Sequence, residues 1–179
     1  MNKSIRLFRD SFIIFIIYAC LGWINEIIYF YIKKGIFINR GLLQGPYLPI
    51  YGFGAVLLWL ALRRFTKRKI MIKKVNITPI LVFLIIFVVA TLLEYISHYI
   101  LDTIFNTTLW NYNKDFLNIN GRVCLGASIG FAIEGVVAIY FIQPLIDKLL
   151  NIKQQKFLNI TTIVLLVIVI VDFIIRIIS

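Results

Sequence analysis

The chain has 179 residues, 61% of them hydrophobic and only 15% charged, which is more apolar surface than a soluble domain of this size can hide. Its net charge of +11 would suit nucleic acid, but the lysines and arginines lie in short segments between apolar runs and not on one amphipathic face, which excludes nucleic acid as the partner. The expected solvent is the lipid bilayer and the expected fold is all-α, a polytopic membrane protein forming one domain over 1–179 with about five transmembrane helices.

A bilayer core about 30 Å thick takes about 20 helical residues. The first candidate span, 11–32, follows Lys3, Arg6 and Arg9 and carries Glu26 in its outer half. Its apolar run is too long for a cleavable signal, and the Ile17-Tyr18-Ala19-Cys20 stretch, loosely like a lipoprotein cleavage box, continues into more membrane-like sequence. A loop with Asn39-Arg40-Gly41 leads to the second candidate, 47–65, whose start is crowded by Pro46, Pro49, Gly52 and Gly54; proline is tolerated in a helix's first turn. A run from Arg63 to Lys74 with no acidic residue precedes the third candidate, 79–104, where Glu94, His98 and Asp102 recur every four residues along one face. Its outer loop holds Trp110-Asn111-Tyr112 and Asn120-Gly121-Arg122. The fourth candidate, 123–146, bears Gly126, Gly130, Glu134 and Ala138 as one stripe, and the fifth is 157–178.

Orientation follows from the cations of the flanking loops. One side collects 13 lysines and arginines, the other six, so the N-terminus is predicted cytoplasmic and the C-terminus external. The two hairpins, each with an outward helix bearing a glutamate and a return helix starting in glycines, suggest a parallel internal repeat plus a fifth helix. Cys20 and Cys124 have no metal-ligand spacing and read as buried structural thiols.

A carboxylate at the centre of a membrane helix costs about 2.5–3.5 kcal/mol on insertion scales, so Glu26, Glu94 and Glu134 require partners or neutralisation. Each has a small residue four positions earlier, Gly22, Ala90 and Gly130, the pattern that lets membrane helices approach closely. The three are expected to converge on a cavity open to the outside, with Arg40 and Arg122 over its mouth. Two readings stand. The arginines neutralise the glutamates and fix the hairpins, or they bind an anionic group while the carboxylates handle a cation or protons. His98 is either a proton relay or a packing residue. The predicted ligand residues are therefore Glu26, Arg40, Glu94, His98, Arg122 and Glu134, with no catalytic residue, metal or cofactor expected. The sequence has no HExxH, P-loop, serine elbow or cysteine pair for redox chemistry.

The string Asn39 to Gly52, NRGLLQGPYLPIYG, with Gly22-Trp23-x-x-Glu26, Leu93-Glu94-Tyr95, Trp110-Asn111-Tyr112 and Asn120-Gly121-Arg122-Val123-Cys124-Leu125, resembles the bacterial CmpB-like family, named as putative ABC-transporter type IV permeases. The resemblance covers roughly residues 10–140. It departs at Asn111, where the family pattern has Asp, which puts in doubt any role needing a charge there. It implies a permease-like subunit in the bacterial inner membrane working with a separate ATPase, with the Arg63–Lys74 loop as the candidate coupling contact. Association with further copies of the chain fits as well. The rival readings are a membrane enzyme acting on a lipid or cell-wall precursor, with a carboxylate or His98 as general base, and a structural partner for other membrane helices.

Overall fold

The computed structural model describes residues 2–37, 41, 43–152 and 154–178. Among the described residues it is all-α apart from one two-stranded hairpin and an isolated bridge between Ile119 and Val123. Its elements are α1 (Lys3–Lys34), α2 (Pro49–Leu62), β1 (Met71–Ile72), β2 (Val75–Asn76), α3 (Thr78–Ile104), α4 (Leu125–Val137), a π-helical turn (Ala138–Ile142), α5 (Gln143–Leu150) and α6 (Gln155–Ile178). Among the described residues, four helices are long and apolar enough to cross a membrane: Lys3–Lys34, Thr78–Ile104, Leu125–Leu150 and Gln155–Ile178.

The segment expected to span 47–65 forms a shorter helix. α2 has 14 residues, about 21 Å at 1.5 Å per residue, against a core of about 30 Å. Proline explains the late start, because the residue before a proline is pushed out of the helical region; Pro46 lies in the approach and Pro49 is the first helical residue. The fourth predicted span has a different irregularity. Pro144 follows the π turn, lacks the N–H that would bond to Tyr140, and would press its ring on that carbonyl in a regular helix. The wider turn, closed by Gln143 N–H on Ala138 O, absorbs the conflict.

The chain divides into two compact units, residues 1–56 with 145–179 and residues 57–144. In the first, α1 ends at Gly35, whose φ of 66° is left-handed and whose N–H bonds back to Tyr31 O, a stop that glycine makes without steric cost. The start of α2 lies tightly on α1, since a Cβ at Gly22 would collide with the Tyr51 ring and one at Gly52 with the Phe15 ring and carbonyl. The Gly22–Glu26 spacing thus does what was expected of it. Leu43, Tyr47 and Ala19 form a buried cluster, with Val169 of α6 packed against it.

In the second unit, Leu62, Val82 and Ile86 form the core, with Ala90, Val136 and Ile139 packed around them. α3 meets α4 along Ser128, Ala132 and Gly135. The Ser128 hydroxyl lies 2.8 Å from that of Thr91, Ala132 is fully buried, and a Cβ at Gly135 would strike Ile86. The expected Gly126–Gly130–Glu134 stripe lies two positions away, about 200° around the helix. A Cβ at Gly126 or Gly130 would meet nothing within 4 Å, and Glu134 is exposed. The close-packing glycine of α4 is Gly135, not the predicted pair.

Candidate functional site

α3 carries the polar centre of the second unit. Glu94 and His98 are one turn apart on one face and are buried, at 4% and 7% exposure. The loop from Phe105 to Cys124 roofs them. Tyr112 donates its hydroxyl to Glu94 Oε1 at 2.9 Å, and His98 Nε2 lies 3.1 Å from the Trp110 carbonyl, with the indole edge-on to the imidazole at 5.4 Å. A carbonyl only accepts, so Nε2 carries a proton, and in the neutral imidazole Nδ1 then presents a lone pair. That Nδ1 is buried and has no hydrogen-bond partner among the described residues.

The roof is held by its own motifs. Tyr112 N–H bonds to Gly121 O at 2.8 Å and Trp110 Nε1 to Arg122 O at 2.9 Å, so the Trp110–Tyr112 and Asn120–Arg122 strings are spatial neighbours. Left-handed backbone at Leu117, Asn120 and Gly121 makes the fold-back. Asn111 Oδ1 accepts the Asn113 N–H at 2.9 Å, a role that an aspartate fills equally well. A Cβ at Gly121 would press on the Asn113 side chain, and its φ is 65°. Gly121→Ala is therefore expected to cost at least the 1–2 kcal/mol, roughly, of a left-handed alanine, read as lower unfolding stability and faster amide exchange over 110–122.

Arg122 reaches the same helix on the adjoining face. Its guanidinium sits 4.9 Å from the Tyr99 ring centroid and 5.3 Å from that of Tyr95. Nη2 lies 3.4 Å from Asp102 Oδ2, with Asp102 about half exposed. The predicted Glu94–His98–Asp102 stripe therefore splits, two residues under the roof and the third paired at its rim with Arg122. A cavity of about 290 Å³ near the roof is lined by Asp115, Phe116, Cys124, Leu125, Gly126 and Ile129, and by none of the predicted ligand residues.

Glu26 belongs to the first unit and is partly buried, its Oε1 accepting the Tyr51 hydroxyl at 3.1 Å. Arg40, with Asn39, lies outside the described residues. Of the six predicted ligand residues, the structure brings together Glu94, His98 and Arg122 within one unit.

Sequence reasoning missed two centres of the first unit. Asp172 of α6 accepts Gln44 N–H at 3.2 Å, Gly45 N–H at 3.0 Å and the Tyr47 hydroxyl. It thereby anchors the 43–48 part of the NRGLLQGPYLPIYG string. Leu48 N–H of that segment bonds at 2.9 Å to Ala19 O, which lies halfway along α1. Non-helical backbone beside the middle of a membrane helix is tolerated only where protein groups satisfy it, and Asp172 and Ala19 do so here. The signal was available, since Asp172 is an ionisable residue inside an apolar run, the criterion that singled out the glutamates. The second centre is a buried ion pair, Arg9 with Asp10 at 2.6 Å.

No curated protein and no solved structure matches the chain. One family model does, that of CmpB, described as "Putative ABC-transporter type IV", over residues 13–177. Nearly the whole chain is covered, including Asp172 and the roof motifs, and the protein belongs to this ABC-transporter-type membrane family.

Proposed function

We propose that the protein is a permease-like subunit of an ABC-type transporter in a bacterial inner membrane, paired with a separate ATPase. It holds a small or lipidic ligand from the outer side through Glu94 and His98, with Arg122 at the rim. The observation that carries this reading is the bare Nδ1 of His98. A network that only fastened helices would satisfy its buried polar atoms, whereas here a buried lone pair, one turn from a buried carboxylate, is available to a proton, an N–H or an O–H of a ligand. The family name supports the transport class.

The test compares the wild-type protein with Glu94→Gln and His98→Phe after mild detergent extraction, by native mass spectrometry and tagged pull-down. Gln keeps the acceptor for Tyr112, so folding is expected to survive. The wild type is expected to retain a bound small molecule and an ATPase, and the variants to lose the molecule at least tenfold while keeping the ATPase. Loss of assembly in Glu94→Gln with no retained molecule in the wild type would leave only a structural role.

A further inference from the structure

We infer that the segment from Arg63 to Asn76 is a preformed foot that grips the anionic lipid headgroups of the leaflet on its side of the bilayer. It holds seven cations and no carboxylate, and it joins the ends of two apolar helices, α2 and α3, whose Leu62, Val82 and Ile86 pack together. The segment is thus tethered at both ends within a few residues of the hydrocarbon boundary. Charge complementarity then favours an acidic lipid surface, already present at that boundary, over a soluble partner.

Three features show that the foot is built. Buried Thr78, at 2% exposure, accepts the Ile70 N–H at 2.8 Å and donates to Arg68 O at 3.1 Å, clamping the base. β1 pairs with β2 in the register Met71 to Asn76 and Ile72 to Val75, and Met71, Ile72 and Val75 are all more than half exposed. An apolar ribbon edged by cations is the composition of a segment lying in the headgroup region. The turn between the strands is Lys73-Lys74, and Lys73 has φ 53°. Two-residue hairpin turns with positive φ favour Gly, Asn or Asp, so the tip carries charge where backbone geometry would prefer a different residue.

That mismatch supplies the test. Lys73→Gly with Lys74→Gly suits the turn and removes only the tip charges. The full chain, with Cys20→Ala and Cys124→Ser, carries an environment-sensitive fluorophore on Val75→Cys and is placed in nanodiscs of phosphatidylcholine or phosphatidylglycerol. The label is expected to be embedded in phosphatidylglycerol, to emerge at high salt, and to lie in water in phosphatidylcholine. The double glycine variant should lower the embedded-to-free ratio by about fivefold per lysine removed. A label exposed in both lipids, embedding that ignores lipid charge, or embedding that survives the glycine variant would each overturn the inference. Shielding that appears only when a purified ATPase subunit is added would do so too, and would assign the foot to that protein.

Discussion

Asp172→Ala is expected to release the 43–48 segment from α6 and to destabilise the first unit by about 3–5 kcal/mol. A hydrogen bond to a charged group contributes about 1.5–3 kcal/mol, and Asp172 accepts three, from Gln44, Gly45 and Tyr47. The sum is discounted because Gln44 is exposed and its N–H can return to water. Tyr47, at 5% exposure, cannot. Tyr47→Phe removes one partner and leaves the carboxylate its two amide donors, so its cost should be smaller, about 1–2 kcal/mol. Unfolding in mild detergent gives the totals, and amide exchange at 43–48 locates them: Asp172→Ala should raise exchange there and leave the roof over Glu94 unchanged. Unchanged exchange at 43–48 would mean that the Ala19–Leu43–Tyr47 packing alone holds the segment.

The part of the fold that hydrophobicity determines was legible in the chain itself. The third and fifth spans, expected at 79–104 and 157–178, form Thr78–Ile104 and Gln155–Ile178, because long apolar runs leave lipid-facing helices no alternative. Glu94 and His98 were legible for the same kind of reason, since a spacing of four fixes a shared face. Contact between Trp110-Asn111-Tyr112 and Asn120-Gly121-Arg122 was not, because Asn120-Gly121 marks a turn but the fold-back also depends on left-handed backbone at Leu117, which no residue type announces. Helix faces were the harder problem. Gly-x-x-x-Gly marked 126 and 130, but Ser128, Ala132 and Gly135 make a second small-residue face on α4, and the choice between the two was made by Thr91 and Ile86 on α3. Charge was ambiguous in its own way, because an arginine near a helix start serves equally as a topology signal or as half of a buried pair.

Arg9 decides between those two roles. It was counted with Lys3 and Arg6 as a cytoplasmic-side cation, yet it is 2% exposed. Its guanidinium bonds to Asp10 Oδ1 through Nε at 2.9 Å and Nη2 at 2.6 Å, and Nη1 reaches Asn159 of α6 at 3.0 Å. Removing one member of a buried pair costs about 3–5 kcal/mol, because the other charge stays behind uncompensated. Among the described residues Asp10 would retain only Arg6 at 3.6 Å, whose side chain is half exposed, and that weak partner places Arg9→Met near the lower end, at about 3 kcal/mol. Arg9→Met combined with Asp10→Leu removes both charges and fills the space with apolar atoms, an exchange that is often neutral, so the double variant should recover most of the loss. If Arg9 mattered only for topology, the single variant would shift the orientation of a C-terminal tag and the double variant would repair nothing. With Lys3 and Arg6 still in place, orientation should instead hold while stability falls and then returns, and a double-variant cost equal to the sum of the two singles would refute the buried-pair account.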